Sequence, residues 1–255
     1  MPPRTFHSFL TQPVPHREPS RWHPALAALA AFVVVVLGQL APVLAISMMT
    51  AADRSGGGAP DADTVSRIFQ EKSGALLVLT QAVMAGLTLV AASRYEARAT
   101  TTLALEPPDG GPRLYGYALL VMVPVLAVIN ALSYGLSPES FAADFKVFEE
   151  LVRGPEPLLI FVAIVLGAPL WEELLFRGFL LPPLATALGF WPAAAVSSAA
   201  WAALHIGYSV TGLVEVFLIG LFFSWLLRQS GSLLVPMACH ALYNAVLFGL
   251  LRYLT

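Results

Sequence analysis

The chain has 255 residues, of which 57% are hydrophobic and 12% are charged, and its formal net charge is −2. Soluble domains carry about 25% charged residues, so this composition leaves too little polar surface to cover a water-soluble globule of this size. It argues against a soluble enzyme, a nucleic-acid-binding protein and a disordered chain. The single cysteine, Cys239, excludes an intramolecular disulfide and a multi-cysteine metal site.

The chain begins with a polar segment. Residues 1–24 contain three arginines and three histidines among several prolines, and the apolar run that follows Pro24 is too long for the hydrophobic region of a signal peptide. We therefore predict a flexible, cytoplasmic tail over 1–24 and a polytopic membrane domain over 25–255.

Apolar stretches then recur along the chain at a length suited to crossing a membrane, which takes about 20 mostly apolar residues. Pro182 and Pro183 are expected to end the fourth stretch, and the glycines at 56–58 mark a loop after the first. An acidic connector over 137–157 is expected to hold a short surface helix around 141–152. The sequence thus predicts an all-α bundle of about seven spans, with six and eight as alternatives: 25–49, 74–93, 114–136, 158–181, 190–208, 211–227 and 232–251.

The orientation of the bundle follows from Lys and Arg in short loops, which stay on the cytoplasmic side. An arrangement with the N-terminus inside is favoured, because basic residues concentrate in the tail and in the second loop, namely Arg4, Arg17, Arg21, Arg94, Arg98 and Arg113.

Ionisable side chains within spans cost about 2.5–3.5 kcal/mol each and are functional candidates for that reason. In this chain they cluster in the last four predicted spans. Glu173 and Arg177 are four residues apart and share a helix face, with the acid placed N-terminal to the base. Glu172 is rotated by about 100° from Glu173, which leaves it free for chemistry while Glu173 and Arg177 neutralise each other. The alternative is a charge cluster at a helix end, with Arg177 reaching the headgroups.

Two further pairs stand four residues apart on later spans. Trp201 and His205 share one face, where the alternative to a catalytic histidine is a hydrogen-bonded packing residue. His240 and Asn244 share another face, and two convergent donors suit the oxyanion that develops when a carbonyl is attacked. The alternative for that pair is a polar clamp between helices.

Other polar residues in the spans carry weaker signals. Glu215 could line the same cavity or lie near a span end, whereas Gln39, Gln81, Asn130 and Ser133 are typical of helix–helix contacts. The sequence has no serine nucleophile in a recognisable elbow and no His-Glu-x-x-His zinc motif.

The order and spacing of these motifs resemble the CAAX prenyl endopeptidase family, known in bacteria as CPBP or Abi-type intramembrane proteases. The resemblance rests on Glu172-Glu173-x-x-x-Arg177, then Trp201-x-x-x-His205, then His240-x-x-x-Asn244, and it covers about residues 155–251. Trp201 stands where the family usually has phenylalanine.

The resemblance implies a helical bundle around a polar cavity that opens to the cytosolic side and to lipid. It implies that Glu172 and His205 activate the attacking water and that His240 and Asn244 stabilise the oxyanion. Glu173, Arg177 and Trp201 would support the site. No cofactor is required on this interpretation, and the alternative is a divalent metal such as zinc held by Glu172, His205 and His240.

The sequence therefore predicts an intramembrane endopeptidase that hydrolyses a peptide bond near the cytosolic face of a membrane. Its partners would be membrane lipid and a peptide or lipid-modified protein, with no nucleic acid, and its location the bacterial cell membrane. The alternatives are a proton-coupled transporter, in which the acids and histidines form a relay, and a non-catalytic membrane scaffold.

Overall fold

The computed structural model describes residues 4–14, 20–52, 62–94 and 98–253. The predicted loop at 56–58 and Arg17 of the predicted cytoplasmic tail lie outside these residues. The described residues contain helices and no β-strand, which confirms the predicted all-α bundle. The helices are α1 (Phe6–Thr11), α2 (Pro24–Ala52), α3 (Ala62–Glu71), α4 (Ser73–Ala92), α5 (Ala99–Thr102), α6 (Arg113–Leu136), α7 (Pro138–Val152), α8 (Pro157–Leu188), α9 (Phe190–Ala202), α10 (Val210–Ser230) and α11 (Leu234–Tyr253).

Six of the described helices are long and apolar enough to cross a membrane: α2, α4, α6, α8, α10 and α11. This number lies within the predicted range of six to eight. The difference from seven is α9, which has 13 residues and a length of about 20 Å. The apolar core of a bilayer is about 30 Å thick, so the span predicted over 190–208 is wrong. Instead, α9 ends at Ala202, beside the buried Trp201, and the chain continues into the 3₁₀ turn Ala203–His205.

Helix α8 is the central helix and packs against α2, α4, α9, α10 and α11. It runs past Pro182 and Pro183, so the prediction that these prolines end the span is wrong. Both prolines lie in the first turn of its last α-helical segment, Leu181–Leu188, where a missing N–H costs little. The helix ends at Gly189, whose φ of 80° is one that glycine adopts readily.

Two stretches of α8 are π-helical, Val162–Gly167 and Glu173–Leu180. A π-helix pairs each N–H with the carbonyl five residues before it, and such turns are frequent at functional sites. The α-helical segment between them, Ala168–Glu172, ends at the first glutamate of the motif. The two glutamates therefore lie where the helix changes its geometry.

The predicted surface helix in the acidic connector is present as α7, which packs against α6, α10 and α11. Asp144 of α7 accepts hydrogen bonds from the backbone N–H of Ser209 at 2.8 Å and from its hydroxyl at 2.6 Å. Ser209 is also the N-cap of α10, because its Oγ accepts from the N–H of Gly212 at 3.0 Å. One side-chain pair thus joins α7 to the start of α10.

The described part of the N-terminal segment forms α1, which the prediction of a flexible tail did not anticipate. Phe9 is fully buried, and its ring centroid lies 5.7 Å from that of Trp225. The hydrophobic side of α1 is therefore held against α6 and α10. Burial also lowers the pKa of the Arg4 guanidinium, just before α1, and the charge of Asp109 partly offsets this lowering.

Candidate active site

A cavity of about 460 Å³ lies between α7, α8, α10 and α11, next to the end of α9. All four residues predicted to be catalytic line it: Glu172, His205, His240 and Asn244. Glu173 and Arg177, predicted as supporting residues, do not line it. Glu215 lines it too, which is the first of the two alternatives that the sequence left open for this residue.

Glu172 is held at the cavity wall by an aromatic side chain. The indole Nε1 of Trp201 donates a hydrogen bond to Glu172 Oε2 at 2.6 Å, and His240 Nε2 lies 3.9 Å from the same oxygen. Glu172 is 8% exposed. The indole N–H thus fixes one carboxylate oxygen, a contact that phenylalanine at position 201 could not make.

Glu173 and Arg177 form the predicted ion pair. Arg177 Nη1 lies 3.2 Å from Glu173 Oε1, and both side chains are fully buried. The Arg177 guanidinium also lies 4.3 Å from the centre of the Trp201 ring, a cation–π contact. Full burial rules out, for this pair, the alternative of a charge cluster that reaches the headgroups.

His240 joins the two glutamates. Its Nδ1 lies 3.0 Å from Glu173 Oε1, and its Nε2 faces Glu172. A carboxylate accepts hydrogen bonds, so Nδ1 carries a hydrogen atom and donates a hydrogen bond to Glu173. The ring stacks on Phe223 with centroids 4.9 Å apart. Nothing in the sequence singled out Phe223, because one phenylalanine in an apolar span has no distinguishing pattern.

His205 lies on the 3₁₀ turn that follows α9. Its Nδ1 is 3.2 Å from the backbone oxygen of Trp201, and its ring lies edge-on to Trp201 and Tyr208, with centroids 5.4 Å and 5.5 Å away. Burial raises the pKa of Tyr208 to about 12, and the nearby acids add to the effect. Tyr208 is thus a neutral phenol beside His205 at neutral pH.

Asn244 reaches α8 across the cavity. Its Nδ2 donates to the backbone oxygen of Ile164 at 2.8 Å. Ile164 lies in the first π-helical stretch, where the regular ladder of hydrogen bonds is altered. His240 and Asn244 were predicted as two convergent donors, and each has one N–H bonded within the protein, so only the remaining polar atoms of each can face the cavity.

In the part of the chain that the structure describes, no three His, Cys, Asp or Glu side chains are grouped so that they could hold a metal ion. Glu172, His205 and His240 were the three ligands considered. One nitrogen of His240 is bound to Glu173, and Nδ1 of His205 lies at the Trp201 carbonyl. Each ring therefore keeps Nε2 for a further contact, as a metal-bound histidine would. The placement of the three side chains, and not their hydrogen bonds, is what gives no grouping able to hold an ion among the described residues.

Comparison with known proteins gives matches to two bacterial proteins. The chain is 33% identical over 145 residues to an uncharacterized 24.3 kDa protein of Escherichia coli, a match covering 56% of this chain and 64% of that one. It is 33% identical over 103 residues to the uncharacterized protein YpbD of Bacillus subtilis (strain 168), covering 38% and 47%. The chain thus spans less than two thirds of each relative, and no solved structure matches it.

Residues 154–246 match the family described as type II CAAX prenyl endopeptidase Rce1-like. All seven predicted site residues lie within this segment. The match confirms the resemblance that the motifs indicated, and the six apolar helices indicate a multi-pass membrane protein. The segment that forms the cavity wall around Glu172, His205, His240 and Asn244 is therefore similar to the Rce1-like type II CAAX prenyl endopeptidase family.

Proposed function

We propose that this protein is an intramembrane endopeptidase in which Glu172 activates a water molecule to hydrolyse a peptide bond near the cytosolic face of a membrane. The observation that carries the proposal is the position of four polar residues from three different parts of the fold on one cavity. Packing alone gives no reason for polar side chains from three separate apolar segments to meet at one cavity.

The reaction needs one base at the cavity wall. Glu172 takes a proton from the water as the water oxygen attacks the scissile carbonyl carbon, and His205 orients that water. The C–N bond then breaks, and the proton passes from Glu172 to the leaving nitrogen. Trp201 supports this step because its 2.6 Å hydrogen bond holds Glu172 in place.

The negative charge that develops on the carbonyl oxygen needs donors. Nε2 of His240 and the second N–H of Asn244 fill this role. Because Nδ1 of His240 donates to Glu173, donation from Nε2 requires the doubly protonated imidazolium. Glu173 and Arg177 thus act behind the site, where they orient the ring of His240.

The similarity to the family and the membrane-spanning helices both support a substrate class. A peptide or a lipid-modified protein would approach from the lipid, and no nucleic acid is involved. The two relatives are bacterial proteins, which supports the bacterial cell membrane as the location. Neither relative has a substrate in its description, so the peptide is tested with and without a prenyl group.

A cleavage assay tests the proposal. The protein would be purified in detergent and incubated with a farnesylated peptide, and the products would be identified by mass spectrometry. We expect cleavage by the wild type and none by Glu172→Ala. Glu71→Ala is the matched control, because Glu71 is exposed on α3, where it pairs with Arg67 at 3.9 Å, and does not line the cavity.

The same assay separates the alternatives. A transporter or a scaffold would leave the peptide intact with every variant. If the wild type cleaves neither the farnesylated peptide nor the same peptide without the farnesyl group, or if Glu172→Ala cleaves equally well, the proposal is wrong.

A further inference from the structure

Glu215 is a carboxyl group inside the membrane-spanning helix α10 that the proposed reaction does not use. It lines the cavity and lies beside Ser133 of α6. Within the described residues no Lys or Arg forms an ion pair with it. A carboxyl group in a span without a counter-ion is costly, and such residues mark substrate or ion sites.

The lining of the cavity is acidic. Asp144, Glu172 and Glu215 line it, while none of the described residues that line it is a Lys or an Arg. Asp144 is committed to Ser209 through two hydrogen bonds, and Glu172 belongs to the reaction. Glu215 is therefore the carboxyl group that remains for a bound molecule.

The walls around these acids are rich in aromatic rings. They come from α7, from the turn after α9 and from α11, and include Phe141, Phe145, Tyr208 and Tyr243. Aromatic faces attract cations and also accept apolar surface. A Lys or Arg side chain, with a charged end on an apolar stem, has both properties.

We infer that the cavity selects a peptide that carries a Lys or Arg side chain near the bond to be cut, and that Glu215 is the residue that recognises the charge. The inference rests on the proposed peptidase function and adds the class of substrate. The negative lining also disfavours an acidic peptide, because like charges repel strongly in a water-poor cavity.

Two farnesylated peptides that differ in one side chain test the inference. One carries lysine and the other Nε-acetyl-lysine, which has the same backbone and stem but no charge, and the position is moved along the peptide one residue at a time. At one position or more, we expect the wild type to show kcat/KM about tenfold higher for lysine. In Glu215→Gln this ratio should fall to near one.

Two further variants serve as controls. Glu71→Gln removes the same charge far from the cavity and should keep the preference of the wild type. Glu215→Asp keeps the charge and should keep a preference that Glu215→Gln loses. A ratio near one in the wild type at every position, or an unchanged ratio in Glu215→Gln, would overturn the inference.

The failure of the inference differs from the failure of the proposed function. Cleavage of both peptides at equal rates refutes the inference and leaves the peptidase function standing. If neither peptide is cleaved, the proposed peptidase function is wrong, and the inference is then tested by binding. Fluorescence anisotropy measures the affinity of the wild type for each of the two labelled peptides. Tighter binding of the lysine peptide supports it, and equal binding overturns it.

Discussion

At the scale of single residues, the central feature is the pair of adjacent glutamates with different surroundings. Glu172 borders the cavity and accepts one hydrogen bond from Trp201, whereas Glu173 is fully buried between Arg177 and His240. The difference arises because neighbours on a helix point about 100° apart. Two identical side chains thereby have different surroundings, and this difference is the reason for proposing different roles for them.

Conservative substitutions separate the two roles. Glu172→Gln should abolish cleavage without lowering the midpoint of thermal unfolding, because an amide can hold the water but cannot take its proton. Glu173→Gln should leave measurable cleavage and lower the free energy of unfolding by about 3–5 kcal/mol, since it leaves the buried Arg177 without its partner charge. Thermal unfolding in detergent and the peptide assay measure both effects. Complete loss of cleavage in both variants with normal folding would contradict this division.

Asn244 has one contact with the protein and one proposed contact with the oxyanion. Asn244→Ala should lower kcat by about 10²–10³ with little change in KM. It should also lower stability, because the Ile164 carbonyl loses its donor. Thr88→Ala is a suitable control, since the Thr88 hydroxyl donates to the Met84 carbonyl on its own helix and Thr88 does not line the cavity. A higher KM at unchanged kcat would instead make Asn244 a substrate-binding residue.

At the scale of helices, the close approach of α10 to α8 holds Arg177 in position. Gly220 of α10 has no side chain at the point where Arg177 and Ser198 meet it. A Cβ atom there would lie 2.9 Å from Arg177 Nη2 and 2.8 Å from Ser198 Cβ. The absence of a side chain at this position lets the guanidinium fit between α8 and α10.

Replacement of this glycine should reverse the usual effect of alanine in a helix. Gly→Ala stabilises a helix by about 1 kcal/mol when the site is open. Gly220→Ala should instead lower the unfolding temperature and the cleavage rate, because the new methyl group displaces Arg177. Gly86→Ala is the control, since a Cβ at Gly86 meets no atom within 4 Å. Equal unfolding temperatures for the two variants would show that the packing at Gly220 is not tight.

At the scale of the whole molecule, the sequence was sufficient for the bundle and for the grouping of the site residues. Apolar length predicts spans because a bilayer has a fixed thickness, and polar residues in spans are rare enough to stand out. The pairing of Trp201 with Glu172, and of Asn244 with Ile164, depends on how helices far apart in sequence meet. No local pattern contains that information.

The errors also have physical causes. Proline usually stops a helix, but Pro182 lies at the start of an α-helical segment directly after a π-helical stretch. The apolar run 190–208 was long enough for a span, yet the chain leaves the α-helix at Ala202. The buried face of α1 escaped prediction because a helix of six residues gives too short a pattern for its period to be seen.

The dependence of cleavage on a metal ion is tested on the whole purified protein. We expect chelators to inhibit weakly and elemental analysis of active protein to find far less than one zinc per chain. The reason is that His240 uses one ring nitrogen on Glu173 and, in the proposed reaction, the other on the oxyanion. Stoichiometric zinc that is lost and regained together with activity would overturn this assignment.

The π-helical stretch Val162–Gly167 makes the number of residues in α8 a functional quantity. Because a π-helical stretch turns less per residue than an α-helix, loss of one residue there would let the helix return to regular α-helical geometry with the segments on either side nearly on the same faces. Deletion of Leu166, which is 56% exposed, should thus keep Glu172 at the cavity and keep measurable cleavage. Deletion of both Val165 and Leu166 should turn the preceding segment by about 100° relative to Glu172 and abolish cleavage. The chain at this point would then tolerate the loss of one residue but not the loss of two.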